Sequence, residues 1–281
     1  MKNETDGPGE DKNAPDPIAP RCPICKQETR HVFTSKHGRE IFQCQRAACG
    51  HFFTPARDEA QGVCVRSEDL ERESDEALAR YQERNIRLLE LFLKYTGGVK
   101  EKMAILDFGA GNAHIPRTFK RVLGDKCTLY CLEKNNECKG LYEKYGLARI
   151  ERLEDLPEKV DLIYLIEVIE HLPDPIATLR TFPALLQKGG TVFLSTPEGH
   201  MDASCTNAYD TPSHLHFFTG RSLNIALRAA GFTALDYKFY SEMYPRAGNN
   251  AIPRPPRVRH PGMDSPSGHL VGPTWPRERG A

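Results

Sequence analysis

The chain has 281 residues, and its 38 basic and 38 acidic side chains give a formal net charge of zero. This balance argues against a strongly basic nucleic-acid coat protein and against a strongly acidic tail protein. The length fits one full-sized domain with a small module better than it fits two full-sized domains.

Nothing in the sequence predicts insertion into a membrane or export. There is no run of about 18 apolar residues, and residues 1–12 are polar, without the apolar core of a signal peptide. We therefore predict a soluble, cytoplasmic protein that does not associate with membranes. In such a chain the nine cysteines are expected to be metal ligands and free thiols rather than disulfides.

The composition divides the chain into five segments. Residues 1–20 hold prolines and glycines among charges, without an apolar face, and are predicted to be disordered. Residues 21–57 combine cysteines with two short β-like runs, which predicts a hairpin module. Residues 58–80 are a charged linker leading into a helix, and residues 81–244 form the main domain. Residues 245–281 are rich in proline and arginine, which predicts a disordered tail.

Two cysteine pairs flank the predicted hairpin. Cys22 and Cys25 are followed, after 18 residues, by Cys44 and Cys49. Four thiolates suit a tetrahedral Zn²⁺ ion, and a closed set of four ligands predicts a structural site, a zinc ribbon. A module of about 35 residues is too small for an apolar core alone, so metal binding would supply much of its folding free energy. The alternatives are His51 in place of one cysteine, or four unrelated reduced thiols.

The main domain is predicted to alternate strands with helices. Leucines at helical spacing over residues 74–95 end at Gly97 and Gly98, which predicts a helix with a glycine stop. Apolar strand-like runs follow at residues 103–108, 128–132, 160–166, 191–195 and 234–240. This alternation indicates an α/β fold with a mainly parallel sheet covered by helices.

A glycine turn follows the first of these strands. Gly109 and Gly111 permit positive φ and a close approach of a ligand to the backbone, but His114 stands where the dinucleotide fingerprint has a third glycine. The turn has its own acid, Asp107, and Glu133 closes the next strand, where a carboxylate can accept both hydroxyls of a ribose. This combination suits S-adenosylmethionine. A purely structural strand-to-helix bend is the alternative.

Several stretches together resemble the class I S-adenosylmethionine-dependent methyltransferases, in particular the group similar to the ubiquinone-biosynthesis O-methyltransferases. They are residues 105–113, 131–133, 160–175 (VDLIYLIEVIEHLPDP), 185–197 and 213–232. The likeness covers roughly residues 81–240. It implies a Rossmann-like sheet that binds the cofactor across the carboxyl ends of its first strands.

The resemblance also assigns roles to individual residues. It implies that Gly109 and Gly111 pass under the methionine moiety and that Glu133 holds the ribose. Asp155, in the loop after the third strand, would flank the adenine, and Glu167, after the fourth strand, would lie near the transferred methyl group.

The chain departs from the family pattern at its end. The family closes its sheet with a seventh, antiparallel strand beside the sixth, but this chain becomes proline-rich after Tyr240. Either the seventh strand is missing, or it is reduced to something near residues 269–271. A missing strand would leave an unpaired sheet edge.

Three histidines are candidate catalytic bases. His171 follows the fourth strand, and His214 and His216 alternate with apolar residues, so that both would face one side of an extended stretch. Structural roles are the alternative for each. Arg84, on the helix before the first strand, either pairs with the cofactor's carboxylate or is simply exposed.

Three functions from different classes remain open. The first is methyl transfer to a small-molecule acceptor, with oxygen as the expected acceptor atom. The second is RNA base methylation, because large-subunit rRNA guanine methyltransferases join a four-cysteine module to this fold and the ribbon has a basic character from Lys26, Arg30, His31, Lys36, Arg39 and Arg46. The third is a non-catalytic adaptor. The sequence predicts neither the acceptor nor the oligomeric state.

Overall fold

The computed structural model describes residues 19–55, 75–199, 201, 211–237 and 269–272. The predictions for the N-terminal segment before residue 19, for the part of the 58–80 linker that precedes residue 75 and for most of the tail therefore lie outside the described residues. Among the helices that are described, none combines the length and apolar character needed to cross a membrane.

The N-terminal part forms the predicted hairpin. Strand β1 (Thr29–Thr34) pairs antiparallel with β2 (Glu40–Cys44), and Gly38 in the connecting turn has φ 69°. A short strand β3 (Phe52–Phe53) follows β2. The fourth strand of this sheet, β9 (His216–Phe217), comes from the main domain and pairs with β3. We call residues 19–55 the ribbon.

The remaining elements build the main domain. Its strands are β4 (Met103–Phe108), β5 (Cys127–Leu132), β6 (Ala148–Ile150), β7 (Val160–Ile166), β8 (Leu186–Ser195), β10 (Thr233–Tyr237) and β11 (His269–Gly272). Its helices are α1 (Asp75–Thr96), α2 (His114–Leu123), α3 (Lys139–Lys144), α4 (Pro175–Leu185) and α5 (Gly220–Ala229). The predicted α/β fold is confirmed.

The order of the second sheet is β10-β11-β8-β7-β4-β5-β6. The strands from β8 to β6 pair in parallel, whereas β11 is antiparallel to both β8 and β10. The seventh strand is therefore present near the predicted position, between β8 and β10. The expectation that the whole tail lacks regular structure is corrected at His269–Gly272, where a short run free of proline supplies backbone donors to both neighbours.

Both faces of the main sheet are covered. On one face, Phe92 of α1 and Phe119 of α2 pack against Tyr164 of β7. On the other face, Phe182 of α4 belongs to a core that also includes Cys22 of the ribbon. The ribbon is therefore not a detached module, because it shares both a sheet and an apolar core with the main domain.

Candidate functional site

The turn after β4 has the backbone geometry of a ligand-binding glycine loop. Gly109 has φ 84° and Gly111 has φ 50°, and Ala113, which precedes α2, also has a positive φ of 60°. The Gly109 amide donates to the carbonyl of Leu132 at 2.9 Å, and the Tyr142 hydroxyl donates to the Gly111 carbonyl at 2.6 Å. These bonds fix the turn at the carboxyl ends of β4 and β5, where open α/β sheets bind ligands.

Gly109 is needed for its lack of a side chain as well as for its φ. A Cβ at this position would lie 2.7 Å from Cγ2 of Val168. We predict that Gly109→Ala lowers the free energy of unfolding by about 2–4 kcal/mol, from left-handed strain plus overpacking. The matched control is Gly146→Ala, at a position that has φ 61° and nothing within 4 Å of the added methyl, and this variant is expected to cost about 1–2 kcal/mol. Urea denaturation of both variants measures the difference, and equal losses would contradict the contact with Val168.

Glu133 closes β5 and organises the glycine turn. Its Oε2 accepts the Gly111 amide at 2.8 Å, and its Oε1 accepts the Asn135 amide at 2.7 Å. An ionised carboxylate has about four acceptor positions, so both oxygens can accept further hydrogen bonds. The arrangement therefore suits a pair of neighbouring hydroxyls, as the sequence predicts for a ribose.

Asp107 lies below the turn and is buried. Its Oδ2 accepts the Tyr164 hydroxyl at 2.7 Å. Burial raises the pKa of Asp107 to about 8, the hydrogen bond from Tyr164 opposes the rise, and the nearby Glu133 charge adds to it. Burial therefore favours the protonated carboxyl near neutral pH, and a cation bound at the turn would favour its ionised form.

The raised pKa of Asp107 predicts a pH-dependent stability. Because the folded pKa of about 8 lies above the ordinary value of 3.8, the stabilisation from the protonated form is complete below about 4 and is lost as the pH rises through about 8. Asp107→Asn keeps an acceptor for Tyr164 and cannot ionise. We expect its free energy of unfolding to exceed that of the wild type by a margin that grows from pH 4 to pH 8, measured by denaturant titration. A difference in free energy of unfolding that does not change with pH would contradict the raised pKa of Asp107.

Glu167 follows β7 with an unusual backbone. Its φ is 56°, and its Oε1 accepts the Ser195 hydroxyl at 2.6 Å. Burial raises the pKa of Glu167, while the Ser195 hydrogen bond and the positive charge of Arg84 oppose the rise. The positive φ indicates strain of the kind that clusters at functional sites. Arg84 thus lies on the site side of α1, although the cofactor contact proposed for it stays a prediction.

A cluster of one carboxyl and two imidazoles lies beside Glu167. Nε2 of His171 is 3.9 Å and Nε2 of His214 is 4.0 Å from Oε1 of Glu170, and the two imidazole centroids are 4.7 Å apart. Glu170 is 1% exposed, and burial together with the Glu167 charge raises its pKa well above the usual value. The ligand atoms of the three side chains lie within 4.8 Å of one another, so they could also hold a metal ion.

The orientation of His171 leaves one nitrogen able to accept a proton. Its Nδ1 is 2.9 Å from the carbonyl oxygen of Ser213. A carbonyl oxygen only accepts, so Nδ1 carries the proton and Nε2 carries the lone pair. Burial lowers the pKa of His171, so the imidazole is neutral at pH 7.

Both ring nitrogens of His216 are engaged in hydrogen bonds, so the structure does not support the hypothesis that His216 acts as a base. Its Nδ1 lies 3.1 Å from Nε2 of His51, and its Nε2 donates to the Leu172 carbonyl at 2.9 Å. Burial lowers the pKa of His216 to about 4. His216 lies in β9, which pairs with β3 of the ribbon.

Asp155 lies after β6, in the loop where the resemblance implies an adenine contact. Its carboxylate pairs with Arg152 at 2.9 Å, and this neighbour holds the pKa of Asp155 below its usual range. The carboxylate is therefore ionised at neutral pH. A role at the adenine stays a prediction.

The four predicted cysteine ligands come together in the ribbon. The sulfurs of Cys22 and Cys49 are 4.0 Å apart, those of Cys25 and Cys44 are 3.4 Å apart, and all four lie within 4.8 Å of one another. Four sulfurs about 2.3 Å from a tetrahedral zinc ion lie roughly 3.8 Å from each other, so the set fits this metal.

His51 does not belong to the cysteine cluster. It is fully buried, and its Nδ1 lies 3.2 Å from the Ser222 hydroxyl while its Nε2 contacts His216. The alternative in which His51 replaces a cysteine ligand is therefore not supported by the structure.

Sequence reasoning missed two residues of the site. Glu170 lies within the stretch that carries the resemblance, and a carboxyl between Ile169 and His171 in an apolar run is the signal that could have identified it. Arg39 is 8% exposed and donates to the carbonyls of Pro212 and His214, although an arginine in a turn is ordinarily solvent-exposed.

Comparisons with known proteins identify the family of the main domain. The family described as "Methyltransferase domain" matches residues 77–237. The "Ubiquinone biosynthesis O-methyltransferase" of Bordetella avium (strain 197N) is 23% identical over 185 residues, which cover 57% of this chain and 77% of that protein. The protein of the same name from Xanthomonas campestris pv. campestris (strain B100) is 44% identical over 52 residues, 17% of this chain and 22% of that protein.

Solved structures of similar fold include a "SAM dependent methyltransferase from Aquifex aeolicus". It is 16% identical, with a TM-score of 0.43, over 59% of this chain and 93% of that one. Identity at this level concerns the fold alone.

Proposed function

Because the chain belongs to the methyltransferase-domain family, we propose that it transfers the methyl group of S-adenosylmethionine to a hydroxyl of a small-molecule acceptor. The observation that carries the proposal is the joint geometry of the glycine turn and Glu133. A carboxylate that accepts the Gly111 amide of the turn and keeps further acceptor positions suits a nucleoside bound across β4 and β5.

The acceptor side of the proposed site is the Glu170, His171 and His214 cluster. Bound S-adenosylmethionine supplies an electrophilic methyl group on a sulfonium. Nε2 of His171 takes the proton of the attacking hydroxyl, and the Ser213 carbonyl holds the imidazole in the required tautomer. Oxygen as the acceptor atom is supported by the names of the relatives, which are O-methyltransferases.

Replacing His171 tests the proton transfer. We predict that His171→Ala lowers kcat by about 100-fold, the lower range for loss of a general base. Because burial lowers the pKa of His171, the wild-type rate should fall at a lower pH than it would for an ordinary imidazole base. Transfer of a radiolabelled methyl group to a panel of small hydroxyl-bearing compounds measures both. His37→Ala, in the exposed hairpin turn, is the control. A wild-type rate in His171→Ala would contradict the role of His171 as the base.

We propose a structural role for zinc in the ribbon. The four sulfurs suit a closed tetrahedral set, which leaves no position for a catalytic water. The turn after the second cysteine pair fits this role, because Gly50 has φ 57° and donates its amide to the Arg46 carbonyl at 3.0 Å. Lys26 has φ 62° after the first pair and donates its amide to the Cys22 carbonyl.

One feature counts against the RNA alternative. Arg39, which contributes to the basic character of the ribbon sequence, has its guanidinium on the Pro212 and His214 carbonyls instead of on the surface. A titration with RNA at increasing salt is the direct comparison, because affinity carried by phosphates falls steeply with salt. Under our proposal no such affinity is found.

A further inference from the structure

The ribbon contacts the backbone that carries His214. Nη1 of Arg39 donates to the His214 carbonyl at 2.6 Å and to the Pro212 carbonyl at 3.3 Å. The guanidinium carbon also lies 6.0 Å from the centroid of Phe217. A charged donor shared by two carbonyls fixes both peptide groups, and such bonds are among the stronger ones in proteins.

A second line of contacts runs from the ribbon to the residue after His171. Because Nε2 of His216 donates to the Leu172 carbonyl, its Nδ1 must accept, and Nε2 of His51 is the donor to it. His51 is fully buried, and its carbonyl accepts the amide of Cys44 at 2.9 Å. This line therefore starts at a cysteine of the four-sulfur cluster and ends beside the acceptor side of the proposed site.

The segment between these contacts, residues 212–217, is bonded to the site on its other side. The Leu215 amide donates to the Glu170 carbonyl at 2.9 Å, and Nδ1 of His171 donates to the Ser213 carbonyl. On the ribbon side, the Thr54 amide donates to the Leu215 carbonyl at 3.0 Å, next to the pairing of β3 with β9. Residues 212–217 thus lie between the ribbon and the loop that holds Glu170 and His171.

We propose that the ribbon is a positioning element of the acceptor site and that Arg39 is its positioning residue. Arg39 holds residues 212–217 against the loop after β7, and so sets the place of the His214 imidazole beside His171 and Glu170. The inference rests on the proposed function, because that function makes the Glu170, His171 and His214 cluster the acceptor side of the site. The contacts between the ribbon and residues 212–217 do not depend on the proposed function. The ribbon thereby contributes to methyl transfer without contacting the cofactor.

Hydrogen exchange of the full-length, zinc-loaded protein tests the link. In Arg39→Gln we expect amide exchange at least about tenfold faster in peptides covering residues 211–219 and 167–173, because a charge-assisted bond to two carbonyls is lost. Peptides covering residues 103–113 and 127–135 should exchange as in the wild type. The matched control is Arg30→Gln, since Arg30 donates only to Gln43 among the hydrogen bonds found for its side chain in the described part of the ribbon.

A second measurement concerns the imidazole itself. The His214 side chain is 12% exposed, so its carbethoxylation, followed by mass spectrometry, should be slow in the wild type. We expect it to become at least about fivefold faster in Arg39→Gln as the segment opens more often. The exposed-turn residue His37 should react at an unchanged rate.

Three results would overturn the proposal. One is unchanged exchange at residues 211–219, the second is faster exchange confined to the ribbon itself, and the third is an equal increase in all regions, which marks a general loss of stability. Calorimetry with S-adenosylhomocysteine on the same samples separates the two proposals. Arg39→Gln should bind it as the wild type does, whereas failure of the wild type to bind would remove the proposed function and leave the exchange result standing.

Discussion

Glu133→Ala is expected to lower the affinity for S-adenosylhomocysteine by at least about 100-fold, because two hydrogen bonds to a charged group are lost at once. The carboxylate is expected to hold both ribose hydroxyls, and it also fixes the turn through the Gly111 and Asn135 amides. The variant therefore loses both direct contacts and the preorganised shape of the turn. Isothermal titration calorimetry measures the change.

The control for this variant is Glu137→Ala. Glu137 is an exposed carboxyl four positions further along the chain, so its removal alters the local charge equally without touching the turn. We expect its affinity to stay within about twofold of the wild type, the usual effect of a surface substitution. Wild-type affinity in Glu133→Ala would show that the ribose binds elsewhere.

Removal of a zinc ligand is expected to have the second large effect. Elemental analysis should find one zinc ion per wild-type chain and none in Cys49→Ser. Structural zinc contributes about 10–16 kcal/mol of apparent binding free energy in small modules, so the ribbon should unfold in the variant. Because Cys22, Cys44 and Cys49 belong to the same core as Phe182 of the main domain, we also expect a lower melting temperature of the whole chain.

The matched control is Cys127→Ser, a buried thiol of β5 that lies outside the four-sulfur cluster. It should lose some stability through burial of a hydroxyl but keep a full zinc content. Full zinc content in Cys49→Ser would contradict the four-cysteine set.

The strands most accurately predicted are the central ones. The bounds of β4 and β7 coincide with the predicted runs, because these strands are buried on both faces and read as continuous apolar segments. The two-residue strands β3 and β9 have no such pattern. β9 is paired only with β3 in this sheet, through Phe52 and Phe217, which are distant in the sequence, and a local pattern cannot reveal such pairing.

The candidate site likewise has a part that the sequence predicts and a part that it does not. The glycine turn and Glu133 could be predicted from local motifs, because the glycines that permit positive φ and the acid at the end of a strand are visible in the sequence. The sequence does not show that His214 contacts Glu170 while His216 contacts His51, because simple alternation assumes one regular strand, whereas β9 begins only at His216. The role of Arg39 depends on carbonyls about 170 positions away, which no spacing rule identifies.

A crystal structure of the protein soaked with S-adenosylhomocysteine tests the central claim most directly. We predict that both ribose hydroxyls lie on the carboxylate of Glu133, that the amino-acid end passes over Gly109 and Gly111, and that the sulfur faces Glu167 and His171. Density for the ligand in any other place, or its absence from the turn at millimolar concentration, would contradict the assignment of this site.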